Sequence, residues 1–113
     1  MLKIIDKTVG DVVICKIEGK LSGIEGKGVI QDKVHEFLNK NVNKFVLDLS
    51  KVSWIDSTGL GELIASLSSA KKKDGNLLLA SIQAPVQSLL QMTNLNQIFE
   101  IFDTVEDALA ELK

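Results

Sequence analysis

The stretch Val52-Ser53-Trp54-Ile55-Asp56-Ser57-Thr58-Gly59-Leu60-Gly61 follows an apolar segment typical of a strand and begins an apolar helical repeat. It places an acid, two adjacent hydroxyls and two glycines at a predicted helix N-terminus. Backbone N–H groups are unpaired at such a terminus and the helix dipole favours negative charge, so a phosphate can be held there. A hydroxyl in this position is therefore a cap, a nucleophile or a phosphorylation site.

Outward from this stretch, hydrophobic periodicity and turn residues predict the element order ββαβαβαβα. Residues 2–8 and 11–18 read as a hairpin, and residues 19–27, with three glycines, read as a loop. Later strands are predicted at residues 44–49, 77–82 and 98–102. The predicted helices carry apolar stripes over residues 30–38, 60–67, 86–90 and 105–112, and the last is capped by Thr104 or Asp103.

The helix that begins in the quoted stretch is expected to bury one stripe and expose the opposite side. The expected buried stripe is Leu60, Leu63, Ile64 and Leu67, and the expected exposed residues are Glu62, Ser66 and Ser69. Strand–helix–strand crossovers are right-handed, so they build a mainly parallel sheet. We therefore predict one α/β domain over residues 1–113, a mixed, mainly parallel sheet of about five strands covered by about four helices.

The predicted topology brings two loops together. Both Leu21-Ser22-Gly23 and Asp56-Ser57-Thr58-Gly59 follow a strand, and the carboxyl ends of parallel strands share the edge where ligands usually bind in such sheets. The sequence thus predicts that the hydroxyl pair lies at the functional edge.

A purely structural interpretation of the quoted stretch stays open. Asp56 or Ser57 would cap the helix, worth about 1 kcal/mol, and Gly59 and Gly61 would let it pack on the sheet. However, a cap needs one polar side chain and three stand here in a row. Each glycine also costs about 1 kcal/mol inside a helix, which favours a surface that a partner approaches closely.

Catalysis and cofactor binding are not expected. A serine nucleophile needs a base, and the only histidine, His35, belongs to another predicted helix. Phosphate-binding glycine motifs and metal-binding His/Cys clusters are absent from the sequence. Cys15 lies on an apolar strand face and is expected in the core.

Charge and composition limit the partners. A net charge of −2 gives no general attraction to nucleic acid or acidic membranes, and the basic run 71–73 suits a helix C-terminus. The chain has no long apolar span and no secretion signal, so we expect a cytoplasmic protein without membrane insertion.

The segments Val46-Leu47-Asp48-Leu49-Ser50 and 52–61 closely resemble the signature of STAS domains, most of all the stand-alone bacterial anti-sigma factor antagonists. The resemblance spans essentially the whole chain, including Ala84-Pro85-Val86 and Met92-Thr93-Asn94-Leu95. It implies a protein-binding module that is not an enzyme and needs no cofactor, and we expect a monomer or weak dimer.

The resemblance also implies a mechanism. In this family the first hydroxyl residue after the aspartate is phosphorylated by a serine kinase that is also the anti-sigma factor. Here that residue is Ser57, with Thr58 a less favoured acceptor. The unphosphorylated antagonist binds the anti-sigma factor, and a phosphatase restores this form. The expected partner-binding residues are Ser22, Gly23, Asp56, Ser57, Thr58, Gly59, Leu60 and Gly61.

One position departs from the family pattern. Many members carry an acidic residue in the loop after the second strand, where this chain has Ser22. We therefore expect either that the kinase recognises this chain without the acid-dependent contact or that the partner is not a typical anti-sigma kinase. The alternative reading is a STAS scaffold subunit of a stressosome-like, transport-associated or other signalling assembly, which shares the fold without the sigma-factor partner.

Overall fold

A computed structural model describes residues 2–112. The strands are β1 (Lys3–Val9), β2 (Val12–Leu21), β3 (Lys44–Ile55), β4 (Asn76–Ala80) and β5 (Ile101–Phe102). The helices are α1 (Gly23–Gly26), α2 (Val29–Leu38), α3 (Ser57–Lys72), α4 (Ala84–Met92) and α5 (Val105–Glu111), with a 3-10 turn at Leu95–Gln97. The predicted α/β class is confirmed.

The strands form one mixed sheet in the order β1-β2-β3-β4-β5. Strand β1 pairs antiparallel with β2 through a turn in which Gly10 has φ 63°. The remaining neighbours are parallel. Because β2, β3 and β4 all run the same way, the loops after them meet at one edge of the sheet.

Helices cover both faces of the sheet. The larger core lies between one face and helices α2, α3 and α4, and includes the fully buried Phe45, Leu47 and Leu63. On the other face, α5 packs through Ala108 against Val46 and neighbouring side chains. Residues 77–80 are fully buried, as expected for a parallel strand that is covered on both sides.

The predicted loop at residues 19–27 is wrong, and so is the predicted end of β3 at Leu49. Strand β2 continues to Leu21 and β3 to Ile55, and these two residues pair. Two irregularities in register, next to Glu18 and Gly19, accommodate the extension, and Gly19 has φ 118°. Gly19 therefore marks a β-bulge within the strand, whereas the sequence prediction had assigned it to a loop.

Two further expectations are wrong. The last strand is only Ile101–Phe102, because the chain before it forms the 3-10 turn and then buries Phe99 in the core. In α3, Glu62 and Ser66 are buried while Ile64 is 39% exposed, since α2 packs on the side predicted to face solvent.

The cap of α5 is Thr104, one of the two predicted residues, and its hydroxyl oxygen accepts from the N–H of Asp107 at 3.0 Å.

Candidate functional site

Asp56 caps α3 and also joins it to the neighbouring loop. Its extended backbone leads into the helix, where its Oδ1 accepts from the N–H of Gly59 at 3.1 Å. Its Oδ2 accepts from the N–H of Gly23 at 3.1 Å. The Gly59 N–H, and then the Gly23 N–H, hold the pKa of Asp56 below its ordinary value, because both bonds favour the carboxylate. Of the two caps proposed from sequence, Asp56 is the observed one.

Ser57 is the first residue of α3, and its side chain is exposed. Since Asp56 supplies the cap, the Ser57 hydroxyl is left accessible at the positive end of the helix dipole. Thr58, the next residue, is only partly exposed. The geometry therefore distinguishes the two hydroxyls in favour of Ser57 as the more accessible.

The two glycines of the α3 start differ. Gly59 is buried, and a Cβ there would overlap the Leu21 carbonyl oxygen and lie 3.1 Å from Ile55 Cγ2. Gly61 is exposed, and a Cβ there would meet nothing within 4 Å. Close packing of α3 on the end of β2 thus explains Gly59, whereas no packing contact explains Gly61.

The structure brings the predicted loop residues Ser22 and Gly23 beside the α3 start. The Ser22 carbonyl accepts from the N–H of Gly26 at 3.0 Å and opens α1. Gly23 has φ 58° and donates to Asp56. The next residue, Ile24, is 94% exposed. A large apolar side chain thus lies in solvent close to the two predicted loops.

An apolar groove of about 320 Å³ runs between the α3 start and α4. Trp54 and Met92, which help to line it, are 55% and 80% exposed. The other lining residues are Ser53, Ile55, Asp56, Ser57, Leu60, Pro85, Val86, Ser88 and Leu89. The α4 side of this groove was not predicted from the sequence. An apolar residue such as Met92 at the polar side of an amphipathic helix could have indicated this part of the groove.

Glu62, which was predicted from the sequence to face solvent, is buried between α2 and α3. It is 4% exposed, and its Oε1 accepts from the N–H groups of Ile30 at 3.1 Å and Gln31 at 3.2 Å. Its Oε2 accepts from Gln31 Nε2 at 2.6 Å. Because the N-cap of α2 is Gly28, which has no side chain, the first turn of α2 takes its acceptors from α3.

Other reactive groups lie away from this site. The Nε2 of His35 is 3.5 Å from Ser69 Oγ, not beside Ser57. Burial raises the pKa of the Cys15 thiol to about 12, as expected for a core residue. Within residues 2–112, no group of three His, Cys, Asp or Glu side chains is placed to hold a metal ion. In the same part of the chain, no helix is both long and apolar enough to span a bilayer.

The mainly parallel sheet with helices on both faces places the protein in the α/β class, and the Asp56-capped helix start adjoins an apolar groove at the sheet edge. The STAS domain family model matches residues 3–108. The chain belongs to the STAS family.

Relatives of this chain carry antagonist names. A Thermotoga maritima protein named "Putative anti-sigma factor antagonist" is 39% identical over 108 residues, covering 95% of each chain. A crystal structure from T. maritima with the same description has TM-score 0.84 and 38% identity, covering 96% of this chain and 92% of that one. An "Anti-sigma F factor antagonist" of Paenibacillus polymyxa is 28% identical, covering 90% of this chain and 87% of the relative.

Proposed function

We propose that this protein is an anti-sigma factor antagonist whose binding is controlled by phosphorylation of Ser57. The observation that carries the proposal is the exposed Ser57 hydroxyl at the first position of α3, next to a cap that Asp56 already provides. Membership of the STAS family and the antagonist names of its relatives support the choice of partner class. In its unphosphorylated form the protein binds an anti-sigma factor and thereby releases a sigma factor in the cytoplasm.

Phosphorylation acts on the interface and leaves the fold intact. A phosphate on Ser57 adds a charge of about −1.5 to −2, and the N-terminus of α3 tolerates it because the helix dipole favours negative charge. The same phosphate lies beside the carboxylate of Asp56. A partner that packs here has to desolvate both negative groups, which costs several kcal/mol and releases it. A phosphatase restores the binding form.

The apolar groove provides the second part of the proposed contact. Partly exposed tryptophans that line pockets are frequent hot spots of protein interfaces, and Trp54 lies in the same groove wall as Ser57. The groove gives binding energy, and the phosphate at its rim controls access to it. Ser22 contributes no charge, so recognition by the kinase relies on the α3 start and the groove.

Mapping the phosphate tests this function. The protein is incubated with ATP and each candidate anti-sigma kinase of its own organism, and the modified residue is located by mass spectrometry. We expect one phosphate on Ser57, none in Ser57→Ala, and unchanged modification in Thr58→Ala and in Ser88→Ala, a control serine on the opposite groove wall. Phosphate that persists in Ser57→Ala contradicts the assignment.

A binding measurement separates the antagonist from a STAS scaffold of another signalling assembly. Unphosphorylated protein should bind the kinase that modifies it and should displace that kinase from its sigma factor. Phosphorylation of Ser57 without displacement of any sigma factor would contradict the antagonist role and favour the scaffold.

A further inference from the structure

The carboxylates of Asp56 and Glu62, at the cap and in the second turn of α3, accept hydrogen bonds from residues 23–31. These residues comprise α1 and the first turn of α2, and we call them the α1 segment. Asp56 accepts from the N–H of Gly23 at one end of the segment. Glu62 accepts from the N–H groups of Ile30 and Gln31 at the other end. Six residues of helix rise about 9 Å, so the two carboxylates hold both ends of the α1 segment along the side of α3.

The Glu62 carboxylate is fully committed to this contact. A buried charge is costly unless hydrogen bonds compensate for it. Glu62 is 4% exposed and accepts from two backbone N–H groups and from the side-chain amide of Gln31. These N–H groups belong to the first turn of α2, where the helix dipole also favours a negative charge. Glu62 therefore fixes the α2 start relative to α3.

The α1 segment needs such anchors and carries a large exposed apolar side chain. The helix α1 at the front of the segment has only four residues, far fewer than an isolated helix requires for stability. Ile24, the second residue of the segment, directly follows the Gly23 that bonds to Asp56 and is 94% exposed. An apolar side chain on a segment that is already fixed loses little further conformational entropy when a partner covers it. The anchored segment thus presents Ile24 in a form suited to binding.

We propose that Glu62 is a positioning residue for partner binding. It holds the α1 segment so that Ile24 contacts the same anti-sigma factor as the Ser57 side of the molecule. Glu62 itself does not touch the partner, because it is buried between α2 and α3. The identity of the partner rests on the proposed function, whereas the anchoring of the segment by Glu62 does not.

Amide hydrogen exchange tests the anchoring without any partner. Glu62→Met keeps a side chain of similar length and removes the acceptor, whereas Glu62→Gln keeps an acceptor oxygen. We expect faster exchange of the Gly26, Ile30 and Gln31 N–H groups in Glu62→Met, and near-native rates in Glu62→Gln. The control is Val46→Ala, a fully buried position on the opposite face of the sheet. Unchanged Gly26 exchange in Glu62→Met overturns the anchoring.

Calorimetric titration with the kinase that modifies Ser57 tests the effect on binding, at a temperature where all variants are folded. We expect Glu62→Met and Ile24→Ala each to weaken binding about tenfold, the size of an ordinary interface contact. Glu62→Gln and Val46→Ala should bind like the wild-type protein. Equal losses in Glu62→Met and Val46→Ala would mean that Glu62 acts only through stability, and would overturn the proposal.

Two outcomes need separate treatment. If Glu62→Met does not fold, Gln31→Ala takes its place, because it removes only the 2.6 Å bond to Glu62. We then expect faster amide exchange and weaker binding, both smaller than for Glu62→Met. Native exchange rates and native affinity in Gln31→Ala would overturn the proposal. If no candidate kinase binds the wild-type protein, the binding role fails together with the proposed function. The exchange rates then still show whether Glu62 anchors the segment.

Discussion

Helices α3 and α4 face each other across the same groove, and each presents an exposed serine to it, Ser57 at the start of α3 and Ser88 in the middle of α4. Helix α3 begins with the Asp56 carboxylate as its cap, and this carboxylate also accepts a hydrogen bond from Gly23, just after β2. Helix α4 begins with Gln83, which makes no side-chain cap, and has Pro85 in its first turn. Both starts make a tertiary hydrogen bond, since Gln83 Nε2 donates to the Ser50 carbonyl at 2.8 Å. Only the α3 start adds a side-chain acceptor for its own backbone N–H groups and a close packing contact at Gly59. The α3 start is therefore better suited to keep its geometry when a charge is added.

The largest effect is expected from the packing of the α3 start. Gly59→Ala should destabilise the protein by about 3 kcal/mol or more, because its Cβ overlaps the Leu21 carbonyl oxygen and the backbone has to shift. The matched control is Gly61→Ala, which meets open space and should stabilise by about 0.5–1 kcal/mol through helix propensity. Urea unfolding measures both. Similar values for the two variants would show that α3 does not depend on this close approach.

The next largest effect is expected on partner affinity, when a negative charge is added at Ser57 and, for comparison, at Ser88. Ser57→Glu should weaken binding of the anti-sigma factor by about 2 kcal/mol, roughly thirtyfold, because the new charge lies beside Asp56. Its melting temperature should stay the same or rise slightly, since acids suit a helix N-terminus. Ser88→Glu places the same charge on the groove wall in the middle of α4, away from Asp56, and should weaken binding less than Ser57→Glu does. Calorimetry decides, and equal losses would place the centre of the contact in the groove instead of at the α3 start.

The smallest effect is the pH dependence of stability at the two helix starts, of which only the α3 start has a side-chain cap. The pKa of Asp56 is lower in the folded protein than its ordinary value of 3.8. Its contribution to stability is therefore complete above that ordinary value and is lost as the pH falls through the lowered pKa. The free energy of unfolding of Asp56→Asn should accordingly depend less steeply on acid than that of the wild-type protein. Gln83→Ala, at the uncharged α4 start, should leave the slope unchanged, and parallel curves for Asp56→Asn and the wild type would contradict the assignment.

Local signals in the sequence were sufficient for several elements. The apolar run at residues 77–82 predicted β4, and the apolar stripe over residues 86–90 predicted α4. The position before an apolar repeat limited the α3 cap to Asp56 or Ser57, and the structure shows that it is Asp56. Each of these depends on residues within a few positions of one another, where propensity and capping rules apply.

Features that depend on distant partners could not be predicted in this way. The ends of β2 and β3 continue because Leu21 and Ile55 pair across the sheet, although Gly19 and Gly23 resemble loop residues. Glu62 looks like a solvent-facing residue of an amphipathic helix until α2 covers it. Its hydrogen-bond partners lie 31 and 32 residues earlier in the chain, beyond the range of any periodicity.

The first turn of α2 takes its side-chain acceptor from Glu62 of α3, and this has a consequence for folding during synthesis. During synthesis the first turn of α2 leaves the ribosome about thirty residues before the carboxylate that satisfies its N–H groups. Until α3 has emerged and docked, α2 has a glycine at its start and no side-chain acceptor of its own. A nascent helix of ten residues with that start is marginal in water. We therefore expect α2 to become stable only once α3 has docked against it.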